Sequence, residues 1–268
     1  MKIFIILFVL FFSSVTFGAI DSSSYKGFVA YQSGEYEKAF RLFTDAANQG
    51  DSSAQFNLGL LYYNAQGVSQ DYKQAVKWYT LAAEQGDARA QFSLGFLYDN
   101  GQGVTQDYKK AVEWYTLAAE QGHTHAQLNL GSMYYSGKGV TQDYKQAMKL
   151  NALAAEQGLT DAQYNLGVMY DKGYGVTQDY KQAVYWFTLA AEQGFAMAQN
   201  SLGILYFNGQ GVLQDSVYSH MWLNIAASNG HLDASNNRDI VSKEMTKEQI
   251  AEAQKLAREC VAKDYKGC

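Results

Sequence analysis

A single stretch recurs along this chain at a fixed interval. Asp71-Tyr72-Lys73-Gln74-Ala75-Val76-Lys77-Trp78-Tyr79-Thr80-Leu81-Ala82-Ala83-Glu84-Gln85-Gly86 returns as Asp107 to Gly122, Asp143 to Gly158 and Asp179 to Gly194, each 36 residues after the last, and a diverged copy runs from Asp215 to Gly230. A period in this range marks stacked helical units, none of which can bury its apolar face without a neighbour. Length is then a poor guide to domain number, because an array grows by repeats.

Five units follow from the period: 51–86, 87–122, 123–158, 159–194 and 195–230. Each reads as two helices. The first carries Ala54-Gln55-x-x-Leu58-Gly59-x-x-Tyr62, and the frame returns at Ala90, Ala126, Ala162 and Ala198. Ala, Leu and Tyr at i, i+4 and i+8 form one apolar stripe. A glycine inside a helix costs about 1 kcal/mol relative to alanine. Its return in all five units (Gly59, Gly95, Gly131, Gly167, Gly203) predicts a close approach by the partner helix. Gly-x-Gly-Val loops such as Gly101 to Val104 and Gly137 to Val140 suit left-handed turns; Ala65 takes the leading place in the first copy. Asp71, Asp107, Asp143, Asp179 and Asp215 are suited to cap the second helices, and Gly86 and its equivalents to end them. Ala75, Trp78, Ala82 and their equivalents are expected to face inward. The periodicity places Trp78, Trp114, Trp186 and Trp222 in the core and not in a stacking ladder, and Leu150 fills the same place in the third unit.

The ends depart from the pattern. Lys2, the apolar run Ile3 to Phe12 and the small residues up to Ala19 read as a Sec-type signal peptide over residues 1–19, with cleavage after Gly18 or Ala19. The run is short for a membrane span, no cysteine follows it to carry a lipid, and no later stretch is apolar enough to span a bilayer. The expected location is therefore secreted or periplasmic. Residues 20–50 contain a helix near Tyr25 to Gln32 and an apolar stripe at Tyr36, Ala39, Phe40 and Phe43, an N-terminal capping hairpin. Residues 231–268 supply a C-terminal cap: Thr246 and Gln249 form a capping box, followed by the face Ile250, Ala253, Leu256, Ala257 and Cys260. Cys260 and Cys268 either pair or remain free thiols on a tail, and export favours the bridge.

The formal net charge of -5 argues against a nucleic-acid backbone as partner. His123 and His125 do not share a helical face and lack the companions of a metal site. His220 and His231 are isolated and expected at the surface. No Gly-Lys-Ser/Thr follows the glycine loops, so no nucleotide site is read there. Neither a metal nor a cofactor is called for.

The frame A-x-x-x-L-G-x-x-Y, G-x-G-V-x-x-D, A-x-x-W-x-x-x-A-A-x-x-G resembles the Sel1-like repeat, a relative of the tetratricopeptide repeat. The resemblance covers residues 51–230 and extends through both caps. It implies an all-α fold, a right-handed α-α superhelix of helix hairpins. It also implies a non-enzymatic adaptor that binds a protein or peptide on the concave face of the first helices. Carried onto this sequence, that face comprises Phe56, Leu60 and Tyr63; Arg89, Phe92, Phe96 and Asp99; His125, Leu128 and Tyr135; Tyr164 and Asp171; and Asn200 and Phe207. The five copies differ strongly there, as a chain-specific binding surface requires, and the mix of aromatic and polar side chains suits a peptide or extended protein segment.

Two rival functions stand beside the adaptor: an envelope-structural or cell-wall-glycan-binding role, and weak β-lactam binding or hydrolysis as in cysteine-rich members of the family. Those members carry a cysteine pair in each repeat, which this chain lacks. Ser23-Ser24-Tyr25-Lys26 and Ser235-Asn236-Asn237 match β-lactamase motifs by letter, but no K-T-G accompanies them.

Overall fold

The computed structural model describes residues 23–268, so the leader expected over 1–19 lies outside the described residues. Among the described residues there are fourteen α-helices and no strand. They are α1 (Ser23–Gln32), α2 (Tyr36–Asn48), α3 (Ser52–Asn64), α4 (Tyr72–Glu84), α5 (Ala88–Asn100), α6 (Tyr108–Glu120), α7 (Thr124–Ser136), α8 (Tyr144–Glu156), α9 (Thr160–Lys172), α10 (Tyr180–Ala191), α11 (Ala196–Asn208), α12 (Ser216–Ser228), α13 (Ala234–Ser242) and α14 (Lys247–Ala262). They form two compact units, one ending at Asp87 and one beginning at Ala88. Within each unit, consecutive helices pack in pairs, the arrangement of an α-solenoid.

In the first unit α1 to α4 enclose Ala30, Ala39, Phe43, Ala54, Leu58, Leu61 and Trp78. Gly59 is where α3 meets α4: a β-carbon there would stand 2.7 Å from the Tyr79 ring. Ala65 ends α3 with φ 58°, a left-handed conformation that glycine adopts at this place in later copies.

The second unit repeats this construction. A β-carbon on Gly95, Gly131, Gly167 or Gly203 would meet Tyr115, Asn151, Phe187 or Leu223, respectively, on the partner helix. The expected close approach is therefore present, and the side chain that exploits it follows the tryptophan position. Trp222 is buried, whereas Trp114 and Trp186 are only half-buried. The inward role assigned to the tryptophans thus belongs more fully to the next residue. Asp107, Asp143, Asp179 and Asp215 each accept from two backbone amides, as Asp143 does from Lys145 (2.9 Å) and Gln146 (3.1 Å).

One polar ladder runs through the apolar interior. Gln127 donates to the Ala119 carbonyl (3.3 Å) and accepts from Gln157 (2.8 Å). Gln163 repeats this with Ala155 and Gln193. These buried amides tie the end of one hairpin to the start of the next, and their own polar groups are paired as burial requires.

At the end of the unit α14 packs on α12, with Ala257 and Cys260 joining Leu202, Trp222 and Ile225 in one core cluster. Thr246 and Gln249 form the reciprocal capping box. One expectation fails here. His220 is not at the surface: it is buried between α12 and its neighbours with Nδ1 lacking a hydrogen-bond partner. Its register on α12 sets it beside Met221 and Trp222, which the diverged last copy buries. His231 is partly buried.

Candidate functional site

The residues expected on the binding face separate into three environments. In the first unit Phe56, Leu60 and Tyr63 are partly buried; the Phe56 ring lies 5.7 Å from that of Tyr79 and Tyr63 lies 5.3 Å from Tyr72. In the second unit several side chains serve the fold. Phe92 stacks on His123 (4.6 Å) and reaches His125 (6.1 Å), while His123 accepts from the Ala126 amide as the cap of α7. Leu128 packs against the α8–α9 core, and Asp171 pairs with the adjacent Lys172 at 2.8 Å. Arg89 is exposed and Phe207 is half-buried. Asn200 does not belong on an open face: it is buried and accepts from Asn237 of α13 (2.9 Å), because the capping helices cover that end of α11.

Phe96, Asp99, Tyr135 and Tyr164 are brought together along the first helices α5, α7 and α9. A cavity of about 290 Å³ is lined by Phe96, Asp99, Asn100, Asn129, Ser132, Met133, Ser136 and Lys138. A second, of about 440 Å³, is lined by Ser132, Tyr135, Ser136, Lys138, Asn151, Tyr164, Asn165, Val168 and Met169. Ser132, Ser136 and Lys138 belong to both, so the two adjoin along one groove.

Local sequence explains the groove. Alternate helices present residues one repeat apart, and the third repeat carries small polar side chains there: exposed Ser132 and Ser136, with Asn151 reaching up from α8. Asn151 donates to the Ala147 carbonyl (2.8 Å) and accepts from Asn165 (3.1 Å). At the rim Tyr135, Tyr144 and Tyr174 form a three-ring cluster with centroids 5.0 to 5.7 Å apart. Lys138 holds its ammonium 5.4 Å from the Tyr108 ring centre. Partial burial raises the Asp99 carboxyl above its ordinary value, and Lys138 opposes that rise. Burial likewise raises the phenols of Tyr135 and Tyr164, so both remain protonated at neutral pH and can donate hydrogen bonds.

The arrangement offers rings, amides, hydroxyls and one cation to a ligand's side chains and backbone. Among the described residues no three of His, Cys, Asp and Glu come together as metal ligands. Asn129, Lys138, Asn151, Asn165 and Met169 were not among the expected site residues. Asn151 could have been found: it is the polar exception among Tyr79, Tyr115, Phe187 and Leu223 at one phase.

A further cavity, of about 480 Å³, lies beside Leu150, with Thr116, Leu130, Tyr134, Lys149 and Leu153 in its walls. At the C-terminus Cys260 and Cys268 are bonded, with Cα atoms 5.5 Å apart. No helix among the described residues is long and apolar enough to cross a membrane.

The Sel1 repeat family model matches residues 26–51, 52–87, 88–123, 124–159, 160–195 and 196–231. The structure is similar to that of a Sel1 repeat protein from Oxalobacter formigenes, at 34% identity over 81% of this chain and 86% of that one, with a TM-score of 0.75. More distant likenesses include a protective antigen of uropathogenic Escherichia coli with an SLR fold (26% identity, 92% of this chain and 78% of that one, TM-score 0.48). Another is a Sel1 repeat protein of Klebsiella pneumoniae (24% identity, 75% and 97%, TM-score 0.47). No curated protein matches the chain.

Proposed function

The chain belongs to the Sel1 repeat family, and from that premise we propose that it is a non-enzymatic scaffold that holds an extended polypeptide along α5, α7 and α9. The repeat fold is in general one of protein-interaction scaffolds. The choice of this face rests on one observation: the two adjoining cavities share Ser132, Ser136 and Lys138 and so make a continuous groove. Its lining alternates rings with amides and hydroxyls, which suits a backbone in extended form with side chains entering successive pockets. The leader-like residues 1–19 and the cysteine pair support work outside the cytoplasm.

The test uses the chain from residue 20 as bait against an extracytoplasmic extract, beside two variants. Ser132→Arg sets a long cation in the middle of the groove. Glu113→Lys changes an exposed residue of α6 outside it. A polypeptide held by the parent and by Glu113→Lys but lost from Ser132→Arg supports the reading. Equal retention by all three baits moves the binding face elsewhere, and retention of wall glycan in place of a polypeptide favours an envelope-structural role.

A further inference from the structure

We propose that the cavity over Asn151 receives a tyrosine side chain of the bound segment, which supplies a ring that the third repeat lacks. The inference rests on the scaffold reading above and adds the chemistry of its ligand.

The two cavities of the groove are the same place one repeat apart. Phe96, Asp99, Asn100 and Asn129 in the smaller correspond by the 36-residue period to Ser132, Tyr135, Ser136 and Asn165 in the larger. What differs is what stands beneath and beside them. The second repeat places Tyr115 under its groove, fully buried, and Phe96 beside it, and the cavity there is about 290 Å³. The third repeat has Asn151 and Ser132 at those positions, and the cavity is about 440 Å³. Both changes remove an aromatic ring, and Phe187 restores a ring at the Asn151 phase in the fourth repeat.

The polar partner of the missing ring is still in place. Asn129, at the start of the next repeat, donates to the phenol oxygen of Tyr115 at 3.0 Å, across 14 residues. Asn165 stands at the same separation from Asn151 and donates to its amide oxygen at 3.1 Å, also across 14 residues. The Asn129–Tyr115 pair is therefore this chain's own example of how an amide at that position meets a phenol. A tyrosine entering the larger cavity would lie between Tyr135 and Tyr164, against Val168 and Met169, with its hydroxyl directed to the Asn151–Asn165 pair. A phenylalanine would gain the ring contacts but would cover the pair without bonding to it, so the amide sites that Ala147 and the Asn165–Asn151 bond leave over would lose water and gain nothing.

The probes are p-cresol and toluene, the side-chain analogues of tyrosine and phenylalanine. Each is titrated into the chain from residue 20 while the side-chain amide signals of Asn151 and Asn165 and the methyl signals of Val168 and Met169 are followed by NMR. The expected result is saturable p-cresol binding that moves these signals together, with toluene weaker by at least about tenfold. Asn151→Tyr, checked for folding by its melting curve, fills the place from within and abolishes the shifts. Asn165→Leu, which keeps the cavity but removes the donor, brings the two probes to within about threefold of each other. Unmoved signals, equal binding of both probes to the parent, or undiminished binding to Asn151→Tyr would each overturn the proposal. The two readings fail separately: a partner lost from Ser132→Arg but kept by Asn151→Tyr retains the scaffold and removes the tyrosine pocket.

Discussion

The ring of Tyr115 occupies the space that a β-carbon on Gly95 would need: that carbon would lie 2.5 Å from Cδ1 and 2.7 Å from Cε1 of a ring that is fully buried. Neither partner can yield. The ring is enclosed between α5 and α6, with Phe92 against it at 5.8 Å and Asn129 bound to its hydroxyl. Gly95→Ala should therefore destabilise the chain by about 2 kcal/mol or more in urea unfolding, even after the gain of alanine in a helix. Gly131→Ala is the internal comparison. Its nearest obstacle is the Asn151 amide nitrogen at 2.8 Å, the tip of a side chain beside an open cavity. Asn151 can move into that cavity at the expense of its bond to the Ala147 carbonyl, so the loss there should be about 1 kcal/mol, below that at Gly95. Equal losses at the two sites would show that the backbone approach, and not the facing side chain, sets the cost.

The buried glutamines make a second prediction. Gln163 donates to the Ala155 carbonyl (3.3 Å) and receives Gln193 (2.8 Å), which is itself held by Thr160 at 2.7 Å. Gln163→Leu keeps the bulk but removes two bonds: the Ala155 carbonyl retains only the Gly158 amide (2.9 Å) and the Gln193 amide only the Gly158 carbonyl (3.3 Å), a loss of about 1–2 kcal/mol. Thr160→Val removes only an exposed hydroxyl from the same chain of bonds and should cost less than about 1 kcal/mol. Thermal melts of the two variants check the order.

Much of this fold could be read from the repeat alone, because each periodic residue type has one physical use. Asp143 caps, Gly158 ends the helix with φ 88°, and Gly131 admits its partner helix. The proposed face was legible only where the helix phase sufficed. It placed Phe96, Asp99, Tyr135 and Tyr164 on one groove, but it could not show that Asn200 is covered by α13 or that Phe92 is tied to His123. Those outcomes depend on non-repeating neighbours. The depth of the groove depends on Asn151, a second-helix residue that reaches the groove from below. Apolar periodicity marks it only as inward-facing. His220 escaped for a related reason: in a diverged copy, the identities of its neighbours no longer revealed which side was core.

His220 also gives a dependence on pH. Burial lowers its pKa below the ordinary value of 6.5; nearby Arg238 lowers it further, and Asp239 opposes them. The folded state thus binds a proton less readily than the unfolded chain. Its contribution is fully present above about pH 6.5 and is lost as pH falls through the lowered folded value. His220→Asn, which cannot take up the proton, should lose less stability than the parent between about pH 7.5 and about pH 5. Urea midpoints of both proteins at the two pH values make the comparison; parallel loss would remove His220 as the cause.

The third repeat should be the softest part of the second unit, and two substitutions test this from opposite sides. Leu150 stands where Trp114 and Trp186 stand in the flanking repeats, and a cavity of about 480 Å³ lies beside it. Leu150→Trp brings apolar area to that cavity, against Leu130, Tyr134 and Leu153 in its walls. A gain of about 1 kcal/mol is expected, less if the ring must shift the neighbouring helix. Asn151→Tyr fills the opposite cavity and returns the Gly131 approach to the ring-on-glycine contact seen at Gly95, so it should stabilise by a similar amount. The two residues are adjacent in sequence and both stand against Gly131, so their effects are expected to couple by about 0.5 kcal/mol or more in the double variant. What separates them is binding. Leu150→Trp should leave capture of the partner unchanged, whereas Asn151→Tyr should raise the melting temperature and abolish it. A variant at position 151 that gains stability without losing the partner would mean that the small polar residue is a packing defect and not a recognition device.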